Sequence, residues 1–282
     1  MESIYVRHKL HKLEEILTKL YAFIYIRGFK VWTTYRTQVA LTILSWVLPV
    51  FTYYFTGTAL GDRLVTSIGM TGISYTAFMS VGIAFQGYMS SIVTTLSSRF
   101  RNEQLYGTIE YYVISKSGIL GFLVYSGLWG IIMNSISAII ILAVSSALGV
   151  RYHADILAVI VLVIMLVIST YSLGMLAAAF TLIIKQGNPI SFFFNTFTNL
   201  LGGTVFPIQV LPYAIRLISF ALPLTWALEG LREALLLGAP ITHLLYYIEI
   251  LAIQDVVLFP LGLGVYTYAF KRARKMGTLS EY

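Results

Sequence analysis

Charged side chains are rare in this sequence, so a charged cluster between apolar segments is a candidate for chemistry. Only 11% of the residues are charged and 58% are hydrophobic, whereas soluble domains carry about 25% charged residues. The longest polar interruption is residues 97–118, which hold Arg99, Arg101, Glu103 and Glu110. A polar cluster of this kind, between two apolar segments, indicates a docking element on which a partner in the aqueous phase acts.

The spacing within this interruption predicts a short helix over residues 102–114. Asn102 is a suitable N-cap, and Glu103 lies in the first turn, where the helix dipole favours negative charge. Apolar residues recur at helical spacing on one face. We therefore expect Gln104 and Glu110 to face water.

The sequence contains no constellation typical of catalysis or of metal binding. It has no cysteine, and its four histidines are dispersed without metal-ligand spacing. A G-x-x-x-x-G-K-[ST] segment, which would hold nucleotide phosphates, is missing. We predict that the chain is not an enzyme and has no catalytic, cofactor or metal site of its own.

The apolar segments predict an all-α polytopic membrane protein. Runs of roughly 20 apolar residues can cross a bilayer as helices, and they lack the alternation of barrel strands. Six transmembrane helices are predicted, over residues 38–57, 69–96, 119–148, 156–184, 190–205 and 246–270. Residues 37–282 would form one six-helix transmembrane domain.

The distribution of Lys and Arg predicts the orientation in the membrane. Most of the 19 Lys and Arg residues fall before the first span, between the second and third, or after the sixth. Because cytoplasmic segments carry the excess of Lys and Arg, we expect both termini on the cytoplasmic side of a plasma membrane. The net charge of +7 follows from this orientation, and no nucleic-acid partner is expected.

The N-terminal residues 1–36 are basic, and their apolar residues recur at helical spacing. They predict an amphipathic helix at the cytoplasmic membrane surface, in contact with lipid. A simple interfacial anchor and a cradle for a partner subunit both fit this pattern.

Residues 206–238 are too apolar for a solvated loop, and prolines divide them into helices too short to cross a membrane. Such pairs usually enter the membrane and return, so we predict an outer re-entrant hairpin between the fifth and sixth spans. A helical hairpin packed on the outer ends of the bundle is the alternative. Glu229 and Arg232 lie in this segment, and local pairing would offset the cost of ionisable groups at membrane depth.

Two motifs resemble those of ABC-2 type transporter permeases. The segment E-Q-L-Y-G-T-I-E at residues 103–110 resembles the family pattern E-x-x-x-G-T-hydrophobic-E after the second span. Between the fifth and sixth spans the family signature is matched by Phe206-Pro207, Leu211-Pro212, L-P-L-T at residues 222–225 and E-G-L-R at residues 229–232.

The resemblance implies the transmembrane permease subunit of an ATP-driven ABC-2 exporter. Such a permease would form a homodimer and work with two copies of a separate ABC ATPase subunit, which would bind ATP and Mg²⁺. The helix between spans two and three would be the coupling helix that docks on the ATPase. The substrate would be hydrophobic, lipid-like or a glycan, and would leave the cytoplasm by alternating access.

The resemblance also assigns residues to three roles. ATPase coupling would use Glu103, Gln104, Tyr106, Gly107, Thr108 and Glu110. The re-entrant gate would use Phe206, Pro207, Pro212, Pro223, Glu229 and Arg232. In the family the dimer interface at the second and fifth spans forms the path, so Phe193, Asn195, Phe197 and Asn199 are candidates for lining it. Packing against lipid is the alternative for the phenylalanines.

Two other functions fit the same sequence. An ion-coupled secondary transporter would need no ATPase and would depend on Asp255 or Glu249, the carboxylates in or near the sixth span. A non-transporting membrane scaffold subunit would show no substrate-dependent ATP turnover.

Overall fold

The protein is a bundle of long helices. The computed structural model describes residues 17–60, 73–108, 111, 118–184 and 188–276, and every regular element in these ranges is helical. The helices are α1 (Arg36–Leu60), α2 (Tyr75–Leu105), α3 (Gly118–Ala147), α4 (Ile156–Ile184), α5 (Asn188–Leu201), α6 (Tyr213–Phe220), α7 (Pro223–Arg232) and α8 (Leu245–Lys275). A π-helical segment (Tyr21–Lys30) and one α-helical turn (Val31–Thr34) precede α1, a 3-10 turn (Ile208–Val210) precedes α6, and a π-helical turn (Glu233–Leu237) follows α7.

Five of the six predicted spans are confirmed as helices. Among the described residues, α1, α2, α3, α4 and α8 are long and apolar enough to cross a membrane. The predicted extent of the fifth span is wrong. Helix α5 has 14 residues, or about 21 Å at 1.5 Å per residue, whereas the hydrocarbon core is about 30 Å thick. It ends at Leu201 because Gly203, with φ of 73°, takes a left-handed conformation that ends a helix.

Side-chain caps fix where two of the long helices begin. The Ser74 hydroxyl accepts a hydrogen bond from the Ala77 amide at 3.2 Å, at the start of α2. The Asp155 carboxylate accepts one from the Ala158 amide at 3.0 Å, at the start of α4. Each cap satisfies an amide that the first helical turn leaves without a partner.

Helix α2 occupies the centre of the bundle. It packs against α1, α3, α4, α5 and α7, and its apolar side chains Val81, Met89 and Leu96 are fully buried. Its contact with α3 includes polar pairs. The Asn134 amide donates to the Ser91 hydroxyl, and the hydroxyls of Tyr88 and Ser135 lie 2.7 Å apart.

We expect Asn134→Ala to lower the free energy of unfolding by about 1 kcal/mol, because interhelical hydrogen bonds in membrane proteins average about 0.6 and reach about 1.7 kcal/mol. Unfolding by SDS in mixed micelles measures this change. Asn199→Ala is the matched control, because Asn199 is exposed on α5. Equal stability of the two variants would contradict a structural role for the Asn134 bond.

Basic residues of α2 and α8 gather at one end of the bundle. Leu96, Phe122, Leu182 and Phe270 pack in one apolar cluster, so the end of α2, the start of α3 and the ends of α4 and α8 lie together. We call this the basic end, and its residues include Arg99, Arg101, Lys271, Arg272, Arg274 and Lys275. The opposite end, called the distal end, holds the starts of α2, α4 and α8.

The described part of the N-terminal segment packs against α3. The rings of Phe23 and Tyr125 stack with centroids 5.6 Å apart. Gly28 lies so close to Trp129 that a Cβ atom at this position would come within 2.4 Å of the indole ring. Residues 1–16 of the predicted amphipathic helix lie outside the described residues.

The predicted break of residues 206–238 into short helices is confirmed. Helix α6 meets α7 and its π-helical turn at 86°. Pro212 immediately precedes α6, and Pro223 begins α7, positions where the missing proline amide costs no helical hydrogen bond. Helix α7 is mostly buried, whereas α6 exposes Tyr213 and Leu217.

Candidate functional site

Helix α2 ends in a tight turn at the basic end. The helix runs through Asn102 to Leu105, and the chain turns at Tyr106 and Gly107. The predicted start of a separate helix at Asn102 is therefore wrong, and residues 109–110 and 112–114 of that predicted helix lie outside the described residues. Residues 99–105 contain neither Gly nor Pro, so the helix continues until Gly107, whose φ of 67° ends it.

Residues 103–108 are called the α2–α3 turn. Glu103 closes the turn, because its carboxylate accepts the Thr108 hydroxyl and its carbonyl accepts the Thr108 amide at 3.0 Å. Gln104 is 2% exposed, so the prediction that it faces water is wrong; as part of α2 it points into the bundle. Tyr106 is 74% exposed. Glu110 lies outside the described residues.

Near the distal end, α7 places Arg232 against α2. The side chain is 1% exposed. Its Nη2 donates a hydrogen bond to the Gly203 carbonyl at 2.7 Å, and its Cζ lies 3.5 Å from the centroid of the Phe78 ring, a cation–π arrangement. The hydrogen bonds of the guanidinium go to carbonyls of the α5–α6 connection, while Glu229, the local option for pairing, attracts it electrostatically from three residues earlier on α7.

The α6–α7 hairpin holds itself together with two hydrogen bonds. The Thr225 hydroxyl donates to the Ser219 carbonyl at 2.8 Å, and the Trp226 indole donates to the Phe220 carbonyl at 2.7 Å. The remaining predicted gate residues lie in or just before this hairpin: Phe206 and Pro207 before the 3-10 turn, Pro212 before α6, and Pro223 at the start of α7.

Helix α5 carries the four predicted pathway residues. Phe193 and Phe197 are 55% and 41% exposed, and their ring centroids lie 4.5 Å apart. Asn199 is exposed as well. Asn195 instead attaches α5 to the central helix, because its amide donates to the Thr94 hydroxyl at 3.1 Å. Since α2 is largely buried within the chain, α5 provides the exposed apolar surface of these two helices.

Of the two carboxylates in the sixth span, Asp255 lies inside the bundle. It is 8% exposed, and its Oδ1 accepts a hydrogen bond from the Ser169 hydroxyl of α4. Glu249 is exposed. Asp255 is therefore the carboxylate that an ion-coupled mechanism would use.

Sequence reasoning missed the close approaches made possible by small residues. A Cβ atom on Gly82 of α2 would lie 2.4 Å from the Thr204 carbonyl oxygen. On α8, a Cβ atom on Gly262 would lie 2.6 Å from the Ser172 carbonyl oxygen. Small residues are enriched at such helix interfaces, and the frequent Gly, Ser and Thr of residues 80–98 are the available sequence signal.

Two adjoining cavities at the distal end were also missed. Their volumes are about 390 and 340 Å³, and they share Ser74, Gly149 and Val150. Tyr54 lines the first and Arg151 the second. The lining residues come from separate helices and connections, so no local sequence pattern predicts these cavities.

Comparison with known proteins finds a family model that spans most of the chain. The family described as "ABC-2 type transporter" matches residues 21–236, which include the α2–α3 turn and the α6–α7 hairpin. The chain is 27% identical over 206 residues to Nodulation protein J of Rhizobium leguminosarum bv. viciae, a match that covers 71% of this chain and 78% of that protein. It is 26% identical over 229 residues to Nodulation protein J of Rhizobium meliloti (strain 1021), a match that covers 79% of this chain and 84% of that protein.

Proposed function

This chain belongs to the ABC-2 type transporter family, and we propose that it is the transmembrane subunit of an ATP-driven exporter. As a family member it is a membrane transport permease without an ATPase domain of its own. Two copies of the permease pair with two copies of a separate ABC ATPase subunit, which binds ATP and Mg²⁺. The ATPase docks at the α2–α3 turn.

The observation that supports this proposal most directly is the continuity of α2. The helix has 31 residues, or about 46 Å at 1.5 Å per residue, which exceeds a hydrocarbon core of about 30 Å. One end carries the exposed Tyr106, and the other end contacts Arg232 of the hairpin through Phe78. A helix of this kind can carry a displacement from a docked ATPase to the far side of the membrane.

Transport follows as a shift between two populated states. ATP closes the ATPase dimer, and the closed dimer binds one position of the α2–α3 turns better than the other. A ligand shifts a conformational equilibrium by its differential affinity for the two states, so ATP binding favours one access state of the permease. The α6–α7 hairpin closes the distal end of the path in the other state.

The basic end faces the cytoplasm in this proposal. Lys and Arg mark the cytoplasmic side of plasma-membrane proteins, and the apolar cluster at the basic end joins the ends of α2, α4 and α8. Both termini are then cytoplasmic, and the α6–α7 hairpin re-enters the membrane from the outside.

The exported substrate is hydrophobic, lipid-like or a glycan. Supporting this class, α5 exposes the aromatic rings of Phe193 and Phe197 together with the amide of Asn199. Aromatic faces pack against apolar groups, and amides hydrogen-bond to hydroxyl groups. A path between two α5 helices in a dimer would combine both kinds of contact.

Co-purification with a candidate ATPase tests the proposed function. Tagged permease should retain the ATPase in equal copy number, and the complex in vesicles should hydrolyse ATP at a rate that depends on the exported substrate. If no ATPase associates, the ATP-driven mechanism is excluded. Asp255, buried against Ser169, is then the residue to test for ion coupling.

A further inference from the structure

We propose that Arg232 is a positioning residue that couples the α6–α7 hairpin to α2, so that the position of the α2–α3 turn controls the hairpin. This inference rests on the proposed function and adds to it the contact through which the two ends of the molecule communicate.

Three separate segments meet at the Arg232 guanidinium. Its Nη2 bonds to the Gly203 carbonyl of the α5–α6 connection at 2.7 Å, and its Cζ lies 3.5 Å from the centroid of the Phe78 ring of α2. Arg232 itself belongs to α7. Replacing the guanidinium by an apolar group of similar length would therefore remove its hydrogen bonds to the Gly203 and Thr204 carbonyls and a cation–π contact at once.

The backbone of α2 reaches the same point. A Cβ atom on Gly82 would lie 2.4 Å from the Thr204 carbonyl and 3.2 Å from Arg232 Nη2, so the helix has no free space against the connection. From Gly82 to Leu105 the helix extends about 35 Å at 1.5 Å per residue. A shift of the α2–α3 turn along the axis of α2 would therefore displace the α5–α6 connection to which Arg232 is hydrogen-bonded.

The hairpin responds as one unit. The bonds from Thr225 to Ser219 and from Trp226 to Phe220 join α6 to α7. Separate bonds attach the hairpin to α8, where the Tyr247 hydroxyl donates to the Glu233 carboxylate at 2.6 Å. The attachments to α2 and to α8 use different side chains, so one can be removed without the other.

The guanidinium also has an alternative acceptor within reach of its own helix. Among the described residues, Arg232 Nε and Nη1 and Glu229 Oε1 are buried without a hydrogen-bond partner. Glu229 lies three residues before Arg232, on the same face of α7. When the hairpin separates from α2, the guanidinium can exchange the Gly203 carbonyl for this carboxylate, which already attracts it electrostatically and accepts a hydrogen bond from Gln209.

A single cysteine under the contact reports its state. The sequence has no cysteine, and Thr204 is 1% exposed, so a Thr204→Cys chain carries one buried thiol. We expect N-ethylmaleimide to label this thiol slowly in the permease–ATPase complex without nucleotide. ATP with hydrolysis blocked should raise the labelling rate about fivefold or more, within the range of roughly 5–150-fold usual for coupled sites.

In the Thr204→Cys chain, adding Arg232→Met should make the thiol react rapidly with N-ethylmaleimide with or without ATP. The ATPase should still co-purify with this variant. Arg232→Lys should restore part of the ATP dependence, because an ammonium group can still donate to the Gly203 carbonyl. Tyr247→Phe is the matched control. It removes one hairpin bond on the α8 side and should keep slow labelling and the full response to ATP.

Several results would overturn the inference. One is slow, ATP-dependent labelling in Arg232→Met. Another is a loss of the ATP response in Tyr247→Phe equal to that in Arg232→Met. The third is a complex with Thr204→Cys alone that hydrolyses ATP without any change in labelling. If Arg232→Met does not fold, Phe78→Leu takes its place, and an unchanged response there has the same meaning. If no ATPase associates, the proposed function fails separately. The contact between Arg232 and α2 is then tested in the permease without ATPase, where the thiol must be labelled faster in Arg232→Met than in Tyr247→Phe.

Discussion

Tyr106→Asp is expected to release the ATPase from the permease. Tyr106 is 74% exposed at the tip of the α2–α3 turn, where Glu103 and Thr108 close the backbone beneath it. Removing an aromatic anchor at the centre of an interface typically costs about 2 kcal/mol or more, which corresponds to roughly a 30-fold weaker complex. Placing a carboxylate in that contact adds a desolvation cost.

Titration of the ATPase onto permease in lipid nanodiscs measures this effect. Tyr213→Asp is the matched control, because Tyr213 is 73% exposed but lies on α6. Tyr106→Asp should unfold like the wild type, since exposed substitutions usually change stability by less than about 0.5 kcal/mol. Tyr213→Asp places a charge in the α6–α7 hairpin, which is proposed to re-enter the membrane, so its binding is compared for the folded protein only. If Tyr106→Asp and Tyr213→Asp bind the ATPase equally well, the α2–α3 turn is not the docking element.

Gly262→Ala is expected to lower the free energy of unfolding by about 1–3 kcal/mol, the usual cost of adding volume to a packed interior. A Cβ atom at this position would lie 2.6 Å from the Ser172 carbonyl and within 3.3 Å of the Ser172 Cα. These are backbone atoms of α4, so α4 and α8 must move apart to accept the methyl group. That separation also weakens the nearby contact between Asp255 and Ser169.

Gly264→Ala provides a control two residues away on the same helix. A Cβ atom on Gly264 would meet no atom within 4 Å, and alanine favours a helix over glycine by about 1 kcal/mol. This variant should be as stable as the wild type or more stable in SDS unfolding. Similar destabilisation by both substitutions would show that the cost does not come from the contact with Ser172, and the packing explanation for Gly262 would fail.

Sequence patterns account for the elements that depend on neighbours along the chain. Apolar runs of sufficient length define α1, α2, α3, α4 and α8, because a helix in lipid satisfies its backbone hydrogen bonds internally. Prolines at positions 212 and 223 predict the break between α6 and α7, because proline ends or begins a helix through its own covalent geometry. The motifs at residues 103–110 and 206–232 predict the family, which the family model confirms.

Which side chains meet depends on how the helices pack. Arg232 bonds to Gly203, 29 residues earlier, and Asn195 bonds to Thr94, 101 residues earlier, so no local spacing relates these partners. Gln104 is buried because α2 continues past the predicted cap and turns this side chain towards the bundle. Local rules describe one helix at a time, whereas burial and pairing depend on how neighbouring helices are rotated and how closely their small residues allow them to approach.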